Sequence, residues 1–205
     1  MQTKNSEISM KLNKAIIYEG YGAVPNETKF VRESASGRLT IVAIGDPSES
    51  VAVALELVNE GTELIELCGY IPLIWKVKIA EAIGNRAKVS AVTFGIESVV
   101  LASFYNRSFY EGIPPREVFI ILENGSDPVR DRFEKAFAPQ HTTFIPVPNE
   151  KTAVDVAIQL AETPGYGLIE LYGGFTTIGA AKVIEAVDGR IPIGVGSFTL
   201  EATNI

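Results

Sequence analysis

GTELIELCGYIPLIWKVKIAEAIGNRAKVSAVTFGIES, from Gly61 to Ser98, lies without a gap over GYGLIELYGGFTTIGAAKVIEAVDGRIPIGVGSFTLEA, from Gly165 to Ala202. Thirteen of the thirty-eight positions are identical, among them Leu64/Leu168, Ile65/Ile169, Glu66/Glu170, Leu67/Leu171, Gly69/Gly173, Lys78/Lys182, Glu81/Glu185 and Glu97/Glu201. Most of the remaining differences exchange one apolar residue for another. At an offset one residue shorter the match continues upstream, with Leu39–Asp46 over Thr142–Asn149, and Val51, Ala54 and Leu57 over Val154, Ala157 and Leu160. Chance does not produce agreement of that length, so the chain is a tandem duplication of a unit of about 100 residues. We divide it into a flexible N-terminal extension, 1–13, a first α/β unit, 14–112, and a second, 113–205.

Within each unit, short β-branched and aromatic runs alternate with helical stretches of about a dozen residues. The strands are KAIIYE (14–19) and EVFIILE (117–123), LTIVAI and TTFIPV, ELIEL and GLIEL, and VSAVTF and IPIGVGSF. Helices are expected at Glu27–Glu33 and Pro128–Phe137, at Ser48–Asn59 and Glu150–Glu162, and at Pro72–Ile83 and Thr176–Val187. Asp46-Pro47-Ser48-Glu49 has capping-box spacing, Asn149 is its equivalent, and Asp127-Pro128 reads as a helix start. Ser98–Tyr110 reads as a further helical element joining the units. This alternation predicts right-handed βαβ crossovers and a mainly parallel sheet covered on both faces. Two architectures satisfy it: two βαβαβαβ layers related by a pseudo-two-fold axis, or two half-barrels fused into one (βα)8-like barrel. The helices look short for a barrel jacket, which favours the paired layers.

Composition narrows the function classes. Eighteen Lys plus Arg against twenty-five Asp plus Glu give a net charge of −7. Such a surface repels phosphodiester backbones and anionic lipid, so nucleic-acid and membrane partners are not expected. The longest apolar runs, such as Val118–Leu122, are strand-length, far short of the roughly 18 residues of a membrane span. Residues 1–13 have no apolar stretch resembling a secretion signal, so a cytoplasmic location is the simplest reading. A single Cys (Cys68) and a single His (His141) exclude an internal disulfide, a Cys-cluster metal site and His-pair zinc motifs. Neither a metal nor a cofactor is expected.

The repeat signature, Leu64-Ile65-Glu66-Leu67-Cys68-Gly69 or Leu168-Ile169-Glu170-Leu171-Tyr172-Gly173-Gly174-Phe175, is followed by Ile74, Lys78 and Glu81-Ala82, or by Ile178, Lys182 and Glu185-Ala186. It resembles a bacterial domain family of unknown function whose members carry, in single copy, L-I-E-L-C-G-G-F-G-P-I-x-A-A-K-x-x-E-A and then a V-P-V-G strand. The first copy departs at Tyr70, where the second Gly is expected, and the second at Tyr172, where Cys is expected. The resemblance supports the fold and the duplication and implies no activity.

Few residues are left to carry chemistry. In a strand reading L-I-E-L, Glu66 shares a face with Leu64 and Cys68, and Glu170 with Leu168 and Tyr172. A carboxylate there must meet a cation, donors or a cavity, because burying it unpaired costs several kcal/mol. Near the C-terminal end of a parallel strand, Glu66 and Glu170 are candidates for acid/base or ligand-orienting work. An ion pair or hydrogen bond between units accounts for them equally well. Gly173-Gly174 followed by Thr176 and Thr177 places backbone N–H groups and hydroxyls at a helix start, which suits an anion. A tight turn needing positive φ accounts for the same glycines. Ser197 and Glu201 add a hydroxyl and a carboxylate at the last strand end. Cys68 reads as a buried small residue and His141 as an ordinary surface residue on a loop. Lys78/Lys182 and Glu81/Glu185 share one exposed helical stripe and read as a solvated ion pair or an inter-unit contact.

Two function classes follow. One is a binding protein or enzyme that takes a small polar or anionic metabolite through Glu170, Tyr172, Gly173, Gly174, Thr176, Ser197 and Glu201. The other is a non-catalytic interaction module, a fused homodimer whose shared carboxylates hold the units together, with further homo-oligomerisation open. The sequence assigns no reaction to either.

Overall fold

The computed structural model describes residues 11–34 and 36–196. In the first unit β1 (Lys14–Glu19), β3 (Gly37–Ile44), β4 (Leu64–Leu67) and β5 (Lys88–Ala91) run parallel, and β2 (Phe30–Ser34) lies antiparallel on the edge, giving the order β2-β3-β1-β4-β5. The second unit repeats this order as β8-β9-β7-β10-β11, built from β7 (Arg116–Leu122), β8 (Phe133–Phe137), β9 (Gln140–Val147), β10 (Tyr166–Tyr172) and β11 (Ile193–Val195). A short strand from the first unit, β6 (Thr93–Phe94), crosses over and pairs antiparallel with β11. The strands therefore form two separate sheets, and no ladder among the described residues closes them into a barrel. In each sheet the chain moves to one side of the first strand and then to the other. That reversal creates a crevice beyond the carboxyl ends of β1 and β4, and another beyond those of β7 and β10.

Each sheet has one face on helices and one on the other sheet. α2 (Ser50–Asn59) and α3 (Leu73–Ile83) cover the outer face of the first sheet, and α5 (Glu150–Glu162) and α6 (Thr177–Val187) cover that of the second. α5 buries Ala153, Val156, Ala157 and Leu160, one helical stripe, against Val118, Ile120, Ile145 and Ile169. The expected caps are in place. The Asp46 carboxylate accepts from Ser48 N at 2.8 Å, Glu49 Oε2 accepts from Asp46 N at 3.1 Å, and Asn149 Oδ1 accepts from Thr152 N at 2.9 Å. Between the sheets lies an aromatic layer: the Tyr18 ring stands 5.6 Å from Phe119 and 5.4 Å from Phe144, both edge-on. α4 (Ile96–Tyr110) joins the units, buries Ser98, Ala102 and Tyr105, and holds β11 through Ser98 Oγ, which accepts from Ile193 N at 3.0 Å.

Three expectations are corrected. The helices expected at Glu27–Glu33 and Pro128–Phe137 are strands over their second halves, from Phe30 and from Phe133 onward. Only Pro25–Thr28 (α1) coils, and Asp127 caps a single turn through Val129 N and Arg130 N. Phe30 and Phe133 decide the matter: as strand residues they meet across the sheets at 4.3 Å, and Phe133 stacks on Phe144 at 4.7 Å, burial that a local helix would forgo. Each unit therefore carries an antiparallel hairpin strand beyond the expected βαβαβαβ order. VSAVTF divides at Val92 into β5 and β6, one for each sheet. His141 lies inside β9, half-exposed, with Nε2 3.0 Å from Glu134 Oε2.

Candidate functional site

Glu66 and Glu170 lie on the inner faces of β4 and β10, 0% and 2% exposed. Glu66 Oε2 accepts from Gly173 N at 2.7 Å, and Glu170 Oε1 accepts from Gly69 N at 3.0 Å. Glu66 matches Glu170 and Gly69 matches Gly173 in the repeat, so each bond is the image of the other. Reciprocity of this kind defines an isologous contact and hence a pseudo-two-fold axis. The touching rings of Phe30 and Phe133, themselves equivalent positions, lie close to that axis. Packing is tight where the carboxylates cross: a Cβ on Gly69 would stand 2.7 Å from Glu170 Oε1, and one on Gly196 2.9 Å from Glu66 Oε1.

The symmetry breaks at the first residue of the central strands. Lys14 and Glu117 are equivalent, each paired in register with the matching residue of the next strand, Leu39 or Thr142. Lys14 Nζ reaches across to the carboxyl ends of β7 and β10, donating to Leu122 O at 3.1 Å and Gly173 O at 2.9 Å. Burial draws its ammonium pKa down, and the charges of Glu66 and Glu123 oppose that. Glu117 accepts instead: from Thr142 Oγ1 at 2.5 Å, Gln140 Nε2 at 2.8 Å and Tyr105 Oη at 3.0 Å. Burial still holds Glu117 above the ordinary carboxyl range, against those three donors.

At one crevice Lys14 lines a small cavity of about 210 Å³ together with Gly37, Leu122 and Glu123, while its counterpart is a narrow, larger pocket with no cation in its described walls. This pocket lies beyond the ends of β1 and β4 and is walled by Glu19, Cys68, Gly69 and Tyr70 from the first unit, Glu117, Gln140, Leu168 and Glu170 from the second, and Phe94, Tyr105 and Phe109 between them. It encloses about 380 Å³ with its mouth included, and its floor takes about one water-sized group. Burial and then the Glu117 charge push Glu170 up to about 8, against the Tyr172 hydroxyl and Gly69 N, which both donate to it. Burial and the nearby Asp46 push Glu19 up to about 7. Gln140 Nε2 faces two acceptors, Glu19 O at 2.8 Å and Glu117 Oε1, which fixes the amide orientation. Gln140 Oε1 is buried with no hydrogen-bond partner.

The sequence-derived candidates separate between the two crevices. Glu170 lines the pocket, and Tyr172, fully buried, supports it from behind. Gly173, Gly174 and Thr176 lie at the lysine-capped end. There Gly173 N is taken by Glu66 and its carbonyl by Lys14, while Thr176 N and Oγ1 both donate to Glu150 Oε1, at 2.7 and 2.8 Å. The Gly173 and Thr176 donors that the sequence offers to an anion are thus engaged by the chain's own carboxylates. Gly174 has φ +89° and open space where a Cβ would stand. Ser197 and Glu201 lie outside the described residues. Burial pushes the Cys68 thiol well up, as befits an inert wall residue. Lys78 stands over the Trp75 ring at 4.0 Å, and no Lys78–Glu81 or Lys182–Glu185 ion pair forms among the described residues.

Glu19, Tyr105, Glu117 and Gln140 were not singled out from sequence. A signal was present in the repeat, where Lys14 opposes Glu117 and Gly37 opposes Gln140, a charge reversal and a gained amide at strand starts. No group of three or more His, Cys, Asp or Glu among the described residues is placed to hold a metal ion, and no described helix is long and apolar enough to cross a membrane.

These features define the chain as a two-unit α/β protein in which both copies of one domain share a core and a reciprocal carboxylate contact. Both copies are recognised individually: the chain belongs to the family of unknown function DUF6506, which it matches twice, over residues 12–104 and 115–204. No curated protein gives a significant sequence match. Among solved structures, the chain is similar to a carbohydrate transporter from Acidothermus cellulolyticus 11B crystallised with myo-inositol. The identity is 13% and the TM-score 0.30, over 90% of this chain and 73% of that one.

Proposed function

We propose that this protein binds a small polar metabolite in the pocket beyond β1 and β4, keeping the sequence expectation of a ligand at strand ends and moving it to the first unit's crevice. One observation carries the reading: Gln140 Oε1, buried and held in a fixed orientation in the pocket wall, lacks a donor that a ligand can supply. Location supports it, since the pocket lies at the reversal point of the first sheet, where α/β folds take ligands. The unit boundaries at 14–112 and 113–205 belong to this proposal, because the pocket needs walls from both units.

The second reading, a fused homodimer serving as a non-catalytic interaction module, rests on the reciprocal Glu–Gly bonds. Those bonds account for Glu66 and for one oxygen of Glu170. They leave Glu117, Gln140 and the asymmetry of the two ends without a role. A crystallographic soak with mixed polar fragments tests the choice. Density contacting Gln140 and Glu170 is expected, and an empty pocket across the fragment set would put the module reading in front.

A further inference from the structure

We infer that the ligand of this pocket is a cation, a protonated amine whose ammonium group sits among Glu170, Glu117 and Gln140 while its substituent lies along the aromatic wall; the inference rests on the binding reading above. Three acidic side chains, Glu19, Glu117 and Glu170, line the pocket, and no Lys, Arg or His is among its described walls. A part-buried cation at the pseudo-two-fold interface, Lys14, reaches the opposite crevice, and Arg32 pairs with Glu123 and Asp131 on that side as well. Lys14 serves there as a built-in model of the proposed occupant: an ammonium that neutralises an inner-face carboxylate and caps carbonyls at strand ends. On the pocket side, Glu117 stands where Lys14 would be, so no described side chain supplies an ammonium there.

Three further observations fit an amine rather than another polar group. Gln140 Oε1 is an unfilled acceptor, which an ammonium satisfies and a carboxylate or phosphate does not. Tyr70, Phe94, Tyr105 and Phe109 give the pocket an aromatic wall, in which Tyr70 and Phe109 pack on each other at 4.4 Å, and such a wall suits an alkylammonium substituent lying along it. The carboxyl groups are not gathered to share a single metal ion. They line the walls separately, as an organic cation with several N–H donors requires. A cation entering beside Glu170 favours its ionised form, so binding releases a proton from the Glu170–Glu117 pair.

Isothermal titration calorimetry of the full chain with propylammonium, propanol and propionate tests this, run at pH 6 and pH 8.5 in buffers of different ionisation enthalpy. Propylammonium is expected to bind at least tenfold more tightly than either isostere, to bind more tightly at pH 8.5 than at pH 6, and to release protons. Glu170→Gln is expected to lower its affinity at least tenfold. Glu19→Gln, at a half-buried position that folding tolerates, is expected to lower it about threefold and so guards against a folding defect in the first variant. Tighter binding of propionate or propanol, or propylammonium binding that both variants leave unchanged, would overturn the cation assignment while leaving a polar-ligand pocket standing. Failure of all three probes, together with an empty pocket in the fragment soak, would overturn the binding reading itself.

Discussion

The two crevices are built from equivalent residues and end in opposite electrostatic states. Beyond β7 and β10, a lysine from the other unit caps the strand-end carbonyls, its charge faces Glu66 and Glu123, and a smaller cavity lies beside it. Beyond β1 and β4, a glutamate occupies the lysine's equivalent position and helps to raise the Glu170 pKa, and a larger pocket lies there. Duplication created two copies of one crevice, and divergence at the pair Lys14/Glu117 separated a structural end from an open one. The reciprocal Glu–Gly bonds are what both ends retain. They belong to the interface, and the residues that differ between the ends are the ones to examine for ligand binding.

If Lys14 caps one end, removing it should give the largest effect. Lys14→Met leaves Leu122 O and Gly173 O without their donor and Glu66 without its facing charge. A loss of about 3 kcal/mol in urea-unfolding stability is expected, the low end of what stripping one partner from a buried charge costs. Lys14→Met combined with Glu66→Gln should recover part of that loss, since the amide no longer needs a counter-charge. A single variant within 0.5 kcal/mol of wild type would show that Lys14 is merely solvated and that the ends do not differ as described.

A smaller effect separates the ends by pH. Glu170, raised to about 8, holds its proton in the folded state and gives it up near pH 4.5 when unfolded. Between those values the folded chain binds more protons than the unfolded one, so stability is fully present below pH 4.5 and falls as pH rises toward 8. Glu19, raised to about 7, acts in the same direction over a narrower window. Glu170→Gln mimics the protonated acid at every pH. Its stability relative to wild type should therefore rise by about 2 kcal/mol between pH 6 and pH 8, bounded by ~1.4 kcal/mol per pH unit. A wild-type curve flat over that range would mean that Glu170 is ionised throughout, and the acidic end would lose its distinction.

The shared part of the molecule was legible in sequence and the divergent part was not. Glu66 and Glu170 announced themselves as carboxylates inside apolar strands, sharing a face with Leu64 and Cys68 or with Leu168 and Tyr172, and the packing of the two sheets makes those faces the inner ones. Helices with capping residues at their starts, such as Asp46 and Asn149, followed from local chemistry. Phe30-Val31-Arg32-Glu33-Ser34 and Phe133–Phe137 misled, because their strand state depends on ring contacts made more than 100 residues away. The pocket was hidden for a related reason. Gly173-Gly174-Thr176 has the local form of an anion site, but whether its donors are free depends on Glu66, Lys14 and Glu150, which lie distant in sequence. Glu117 and Gln140 sit at strand starts, where polar residues usually meet solvent, and only the pairing of sheets buries them.

The finest test of the difference uses glycines that the two ends do not use alike. Gly174 has φ +89° and nothing within 4 Å of a built Cβ, so Gly174→Ala meets backbone strain alone. A cost of about 1 kcal/mol is expected, with propylammonium binding unchanged. Gly69 has no such dihedral, but a Cβ there would meet Glu170 Oε1 at 2.7 Å and the ring of Phe94 at 3.1 Å. Gly69→Ala must therefore push the carboxyl off Gly69 N, removing one donor that favours its ionised form. The Glu170 pKa should then rise further, moving the pH at which amine binding strengthens upward by about half a unit, while Gly174→Ala leaves that midpoint in place. Equal displacement of the midpoint by both variants would mean that the two crevices communicate and that the division between a structural end and a binding end is wrong.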